Sequence, residues 1–333
     1  MSKKINVAVL MGGNSSEYEI SLMSGREVIK NLNPNKYNIF PVNINRDGKN
    51  WQIGKSATLS YHSSTDKKVK SINKTINASI LTDNKIDIVF IALHGPNGED
   101  GRVQGFLELA GIPYTGSKVL SSAIAMDKVL SRQILEKTGL KVPKYLIYKK
   151  NDTLNIIWQK FKLPIIVKPP DQGSSVGITK VVNKKNLKSA LRKAFKYSSM
   201  ALVEEFIEGT EITSGILGND KLVVLPLIEI VSKNDFFDYE AKYNELKCDE
   251  ICPARINKKL SKKAQDVAKK AYQALGCKGF GRVDMIIKDG NIYILEVNTI
   301  PGLTAVSLLP KAAREAGISY SKLLDKIISY SAP

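Results

Sequence analysis

Residues 280–298 constrain the fold more than any other stretch of the chain. They read Phe-Gly-Arg-Val-Asp-Met-Ile-Ile-Lys-Asp-Gly-Asn-Ile-Tyr-Ile-Leu-Glu-Val-Asn, two strand-like runs around Asp289-Gly290, a dipeptide that tolerates the positive φ angles of a hairpin turn. Strand side chains alternate between faces, so Glu296 and Asn298 share one. The turn decides where Asp284 goes. A two-residue Asp289-Gly290 loop pairs Asp284 with Leu295 and sends the carboxylates to opposite faces. A three-residue loop, Lys288-Asp289-Gly290 with Gly290 left-handed, pairs Asp284 with Ile294 and gathers all three oxygen-bearing side chains. The three-residue loop is expected, because two carboxylates and an amide crowded together repel unless a hard cation holds them. The competing reading is an exposed sheet face carrying solvated acids.

Oxygen-only donors at Asp284, Glu296 and Asn298 point to Mg²⁺, which keeps waters and shares substrate phosphates. Arg282 lies two residues before Asp284. It faces the same way and can meet phosphate or a developing oxyanion. After the hairpin come Thr299-Ile-Pro301-Gly302-Leu-Thr304 and then Ser307, just before a helix expected to run to about residue 316. A glycine there lets a backbone N–H point into a site, and a serine at a helix start binds a carboxylate or simply caps the helix.

The rest of the chain alternates strand and helix signals, the mark of an α/β protein. Residues 5–11 are an apolar run ending in Gly12-Gly13, and an amphipathic stretch follows over 19–32. Strands are expected at 39–44, 86–93, 164–168, 201–206, 211–217 and 222–230, and helices at 119–138, 186–195 and 261–275, with two more closing the chain. Residues 48–85 are rich in Lys, Ser and Asn and read as an irregular periphery without chemistry. At 333 residues the chain is too long for one core, and two or three domains are expected.

Lys168-Pro-Pro-Asp-Gln-Gly173-Ser174-Ser175-Val-Gly177 lies between two strand signals. Its glycines let backbone N–H groups approach phosphate oxygens and its serines add donors, which suits a triphosphate lid. Neither GxxxxGK[ST] nor a GxGxxG after the first strand occurs, which disfavours P-loop and dinucleotide folds. Cys248, Cys252 and Cys277 form no CxxC pair, and His62 and His94 are the only histidines, so a zinc site or disulfide framework is not expected. The net charge of +18 comes from scattered lysines rather than a basic stripe interleaved with aromatics, which argues against a nucleic-acid partner. No apolar run approaches the ~20 residues that cross a bilayer, so a cytoplasmic protein with no membrane partner is expected.

The chain resembles the D-alanine:D-alanine ligase family over nearly its whole length. The resemblance is carried by MGGNSSEYEISL, ALHGPNGEDGRVQGFLELAGIPYTGS, the MDK at 126–128, KPPDQGSSVGI, DYEAKY at 238–243, GCKGFGRVD and LEVNTIPGLT. Each segment is weak alone, and their joint order is specific. The resemblance implies an ATP-grasp fold of three α/β domains: a Rossmann-like parallel sheet over 1–118, a central domain over 119–207 and a C-terminal domain over 208–333, the last two sandwiching ATP. It implies that Lys128 and Lys168 contact the nucleotide, with Ser174 and Ser175 in the loop over it. Glu204, Glu205, Phe206 and Ile207 would line adenine, Glu211 would hold the ribose and Lys242 would reach the phosphates. Asp284, Glu296 and Asn298 match the family's site for two Mg²⁺ ions, for which Mn²⁺ can substitute. Glu296 would meet both nucleotide and metal.

Glu17 matches the acid that receives the ammonium of the first D-alanine, helped by His94. Without the resemblance, Glu17 reads as an acid favoured by a helix dipole and His94 as a strand-end residue with a satisfied hydrogen bond. Ser174 and Tyr243 match residues that link with Glu17 across the closed site, while the second D-alanine's carboxylate falls to Ser307. Arg282 and the Gly302 amide would stabilise the oxyanion. The implied reaction activates one D-alanine as an acyl phosphate, and the 173–177 loop and the segment around Tyr243 are expected to close over it. A D-alanine:D-lactate ligase is the near alternative, disfavoured by the EAKY segment at 240–243. A homodimer is a family expectation. Ile300 and the basic stretch in the first domain depart from the family pattern without touching a matched ligand.

Overall fold

A computed structural model describes residues 3–54, 79–173, 176–232 and 248–331. The chain opens as β1 (Ile5–Gly12), α1 (Tyr18–Asn31), β2 (Tyr37–Ile44), β3 (Trp51–Ile53), α2 (Ser79–Thr82), β4 (Ile88–Ile91) and α3 (Arg102–Leu109). The sheet order is β3-β2-β1-β4, with β1 parallel to both β2 and β4. Val7 to Leu10 and Val89 to Ile91 are fully buried, which is why these strands are continuously apolar rather than alternating. From β1 the chain goes to β2 on one side and later returns to β4 on the other. The carboxyl ends of β1 and β4 therefore flank a topological switch point, where such sheets place their sites. Within the 48–85 stretch, β3 and α2 are the described elements, and residues 55–78 lie outside the described residues. Helix α3 has Gly105 in its interior and no side-chain cap, so it carries little signal of its own.

The expected single helix over 119–138 is two, α4 (Val119–Met126) and α5 (Lys128–Lys137). Asp127 sits extended between them, and its carboxylate accepts from the N–H groups of Val129 and Leu130. A short acid that caps the following helix breaks the preceding one. Next come β5 (Tyr145–Lys149), α6 (Asn155–Lys160), β6 (Ile165–Lys168), β7 (Thr179–Val181), α7 (Leu187–Ala194) and β8 (Met200–Glu205), whose strands form the sheet β5-β8-β6-β7. This sheet has its own core around Ile157, Ile165, Val167 and Leu191.

The remaining elements are β9 (Thr210–Leu217), β10 (Val223–Val224), β11 (Ile228–Ser232), β12 (Cys248–Ile251), α8 (Lys258–Ala274), β13 (Phe280–Lys288), β14 (Asn291–Asn298), α9 (Leu308–Glu315) and α10 (Tyr320–Ser329). The third sheet runs β12-β11-β9-β13-β14. The strand expected over 222–230 is broken into β10 and β11 around Pro226, which has no N–H to give a ladder. Ala125 of α4 and Leu135 of α5 pack with Ala264, Ala268 and Tyr272 of α8 on the apolar face of this sheet. Helices α9 and α10 instead share a core with the first sheet, through Leu324, Ile327, Val7 and Phe90 among others. Lys36 Nζ and the Tyr37 hydroxyl both meet Asp325, at 2.6 and 2.8 Å, at that contact. No helix among the described residues is long and apolar enough to cross a membrane.

The β13–β14 hairpin corrects the expected turn. Lys288 pairs with Asn291, so the loop is the two residues Asp289 and Gly290, with φ of 49° and 70°. Asp284 pairs with Glu296 rather than with the expected Ile294, because the register shifts between Asp284 and Met285 and leaves Leu295 unopposed in a β-bulge. The bulge flips side-chain parity. Ile292, Ile294 and Val297 all face the core despite their odd spacing, and Arg282, Asp284, Glu296 and Asn298 share the other face.

Leu324 joins α10 to the first sheet with no exposed surface. Leu324→Ala is expected to lower the unfolding free energy by about 3 kcal/mol, as a cavity does in a packed core, measured by urea denaturation.

Candidate active site

The switch point carries acids and a histidine. Glu17 precedes α1 and is buried, but its side chain does not cap the helix. Gly95 lies against it: φ is +72°, and an added Cβ would stand 2.6 Å from Glu17 Oε2. The left-handed backbone favours glycine there, and a side chain would push the Glu17 carboxylate aside. His94 is also buried, with Nε2 2.9 Å from Ser24 Oγ, and Nδ1 3.1 Å from the Ile300 carbonyl and 3.4 Å from Glu99 Oε1. Burial pushes the Glu99 carboxyl up, and the neighbouring Glu17 charge adds to this, while the His94 contact opposes it. Ser24 and Glu99 escaped the sequence reading, although both lie in or beside quoted motifs. Ile300, a departure from the family pattern, takes part through its backbone alone.

On the side of the second sheet, four charges are packed together. Lys168 ends β6 and its Nζ lies 2.6 Å from Glu204 Oε2. The other oxygen of Glu204 is 2.5 Å from Arg132 Nη2, from α5. Lys128, at the start of α5, donates to the Gln172 carbonyl at 2.6 Å and stands 3.4 Å from Glu296 Oε2. Lys128, Arg132, Lys168 and Glu204 are all buried. Burial, opposed by Glu204 and reinforced by the Arg132 and Lys128 charges, pushes Lys168 down to about 8. At the end of β8, Glu205 accepts from the Lys144 N–H at 2.8 Å, and beyond it Lys180 stands 3.9 Å over the Phe206 ring and Ile207 is buried. Glu211 and Thr213 are two apart on β9, so they face the same side. Thr213 is opposite Asp284, which puts both on the Asp284 face.

On the hairpin face, Arg282 holds Asp284 with two hydrogen bonds of 2.8 and 2.7 Å, and the Thr213 hydroxyl donates to Asp284 Oδ1 at 2.6 Å. Asn298 Oδ1 accepts from the Ile300 N–H at 3.0 Å. Asp284, Glu296 and Asn298 are therefore hard oxygen donors on one face, a set that fits Mg²⁺ rather than a softer metal. No cluster of three or more His, Cys, Asp and Glu suited to a metal occurs among the described residues. The set works only if the Asn298 amide oxygen takes part. Because Arg282 occupies both Asp284 oxygens, a cation reaching Asp284 must share a carboxylate oxygen with the guanidinium or displace it.

One cleft brings together Glu17 and Glu99 from the first sheet's side, Lys128 and Gly173 from the second, and Glu296, Asn298 and Thr299 from the hairpin. Asp284, Arg282, Gly302 and Ser307 lie outside that lining, as do His94, Lys168, Glu211 and the 204–207 stretch. Ser307 precedes α9 without capping it, and its hydroxyl instead meets the Thr304 N–H at 3.0 Å and the Thr304 hydroxyl at 2.7 Å. Gly302 is close by, since an added Cβ would stand 2.8 Å from Ser307 Oγ. Ser174, Ser175, Lys242 and Tyr243 lie outside the described residues.

Two family descriptions match the chain: "D-ala D-ala ligase N-terminus" over residues 6–117 and "D-ala D-ala ligase C-terminus" over 134–329. The chain is 42% identical over 332 residues to the D-alanine--D-alanine ligase of Carboxydothermus hydrogenoformans, covering 97% of each. It is 43% identical over 331 residues to that of Syntrophobacter fumaroxidans, covering 98% of this chain and 97% of the relative. Among solved structures it resembles the VanG D-Ala:D-Ser ligase of Enterococcus faecalis, with a TM-score of 0.83, 38% identity and 99% and 100% coverage. It also resembles the D-alanine--D-alanine ligase of Bacillus anthracis complexed with ATP, with a TM-score of 0.77, 37% identity and 98% and 97% coverage.

The lowered Lys168 value makes stability depend on pH. Between about 8 and the ordinary lysine value of 10.5 the unfolded chain holds the extra proton, so stability from this group rises with pH across that window. Urea unfolding of the wild type and Lys168→Met across the window is expected to show the wild type gaining relative stability as pH rises. A constant difference would contradict the burial of this ammonium.

Proposed function

The chain belongs to the D-alanine:D-alanine ligase family of ATP-grasp enzymes, and from that premise we propose that it condenses two D-alanines at the expense of ATP, supplying the dipeptide for peptidoglycan synthesis. One observation carries the reading: Glu296 and Asn298 reach the same cleft as Lys128 and Glu17, so phosphate-binding charge and an ammonium-binding acid face each other across one space. Activating a carboxylate next to an amine needs both.

In this reading, the first D-alanine places its ammonium on Glu17, whose burial strengthens the pairing, with His94 held in place by Ser24 and the Ile300 carbonyl. Lys128 and Lys168 neutralise the phosphates of ATP, with Ser174, Ser175 and Lys242 completing the grip. Glu204 to Ile207 border the adenine and Glu211 the ribose. Mg²⁺ held by Asp284, Glu296 and Asn298 supplies charge neutralisation for phosphoryl transfer when bound. The carboxylate oxygen of the first D-alanine attacks the γ-phosphorus, the bond to ADP breaks, and an acyl phosphate results.

The amine of the second D-alanine then attacks the acyl carbon, its carboxylate resting on Ser307. Negative charge gathers on the carbonyl oxygen, where Arg282 and the Gly302 N–H stabilise it. Collapse expels inorganic phosphate, the amine loses its proton, and the dipeptide is formed. The acyl phosphate must be kept from water, which assigns the Gly173 loop and the Tyr243 segment to closing the site around Glu17 and Ser174. Three domains over 1–118, 119–207 and 208–333, a homodimer and a cytoplasmic location belong to the same reading and rest on the family.

Phosphate release from ATP is expected to require D-alanine, and mass spectrometry of the product is expected to show D-alanyl-D-alanine. Supplying D-serine or D-lactate beside D-alanine tests the second site, and a predominant depsipeptide or D-Ala-D-Ser product at neutral pH would refute the dipeptide assignment. Glu296→Gln should cut turnover on the order of a hundredfold or more while leaving the circular dichroism spectrum unchanged. Near-normal turnover would exclude Glu296 as a metal ligand.

A further inference from the structure

Among the described residues the largest fully buried side chain is Arg132, a residue no part of the proposed reaction uses. Its guanidinium spans three elements. Nη1 donates to the Lys128 carbonyl at 3.1 Å within α5, while Nη2 donates to the Leu295 carbonyl on β14 at 3.1 Å and stands 2.5 Å from Glu204 Oε1 on β8. Leu295 is the residue that the register shift leaves without a partner on β13. We propose that Arg132 is a positioning residue for the cation site, fixing the Leu295 carbonyl and thereby the bulge that turns Glu296 toward Asp284.

Without the bulge, the two-residue turn would pair Asp284 with Leu295 and send Glu296 and Asn298 to the apolar face. The core favours the bulge through Val297, but a bulged strand bends locally and its backbone needs a tether to aim one side chain accurately. Arg132 supplies a rigid one, because its planar fork meets the Leu295 and Lys128 carbonyls together while its charge is balanced by Glu204. A lysine has one ammonium and cannot hold that arrangement. The same Glu204 pairs with Lys168, so aiming the metal ligand and placing the phosphate-binding lysine depend on one buried cation.

The proposal rests on the ligase reading for its cation, and Mn²⁺ with a non-hydrolysable ATP analogue tests it without turnover. Electron paramagnetic resonance titration of the full chain is expected to give Arg132→Lys about tenfold weaker Mn²⁺ binding than the wild type. Glu296→Gln is also expected to weaken it, and the double variant to bind no more weakly than Glu296→Gln alone, since both act through one carboxylate. Arg132→Gln, which keeps a donor for the carbonyl but loses the charge, is measured in parallel, so the result does not hang on one variant folding. Mn²⁺ affinity within about twofold of the wild type in both Arg132 variants, or losses that add in full to that of Glu296→Gln, overturns the proposal. Should these couplings hold while D-alanine-dependent phosphate release is missing, the positioning role stands and the ligase reading alone fails.

Discussion

Glu296 faces Asp284 because Leu295 has no partner on β13. A strand has a side-chain period of two, so a hairpin closed by Asp289-Gly290 would otherwise put the two carboxylates on opposite sides of the sheet. One extra residue in β14 reverses the parity of everything after it. Ile292 and Ile294 enter the core before the bulge, and Val297 enters after it. Three apolar side chains are thus satisfied by the same distortion that presents Glu296 and Asn298 to the cleft. Packing and chemistry are solved by a single unpaired residue.

Buried charge is the second constraint. Lys128, Lys168 and Arg132 face Glu204 and Glu296 in a region where most of these side chains are shielded from water. Desolvating such groups costs more than a well-packed apolar core would, so the cluster contributes little to stability in itself. Its value lies in a site built before the ligand arrives: oriented cations need not reorganise around incoming phosphates. The depressed Lys168 value is the mark of that cost, because its burial outweighs the attraction of Glu204.

The first sheet reaches the same cleft from another direction. Its apolar strands β1 and β4 hold the loops bearing Glu17 and His94 at the switch point, and α9 and α10 of the chain's end pack into that sheet's core. The Pro301-Gly302 segment joins β14 to α9, so the hairpin and the switch point are connected by a short stretch packed at both ends. The His94 contact with the Ile300 carbonyl and the Leu303 N–H donated to Ser24 at 3.3 Å stitch the two regions together. The segment after Asn298 is held against the Glu17 side of the cleft because the Ile300 carbonyl and the Leu303 N–H bind His94 and Ser24 there.

Much of this was legible in the sequence, for reasons of period and punctuation. Continuous apolar runs marked β1, β4 and β6, helical spacing marked α1, α7 and α8, and Asp289-Gly290 marked the hairpin. The family motifs marked Lys128, Lys168 and Glu296. Weak local signals hid α3, with Gly105 inside it, and the break at Asp127, whose cap can be told from a helical position only once the flanking backbone is placed. The turn has two residues rather than the expected three, because the bulge at Leu295 and not the loop brings Asp284 and Glu296 to one face. The spacing of Ile292, Ile294 and Val297 held the true signal, a switch from two to three. Ser24, Glu99, Thr213 and Arg132 have no signature of their own: each acts on a partner between 5 and 279 residues away. Local sequence determines which residues can be strand, helix or turn, since those preferences are set within a few neighbours. Only the tertiary structure decides which charges share a cleft, because that depends on register and packing between segments far apart in the chain.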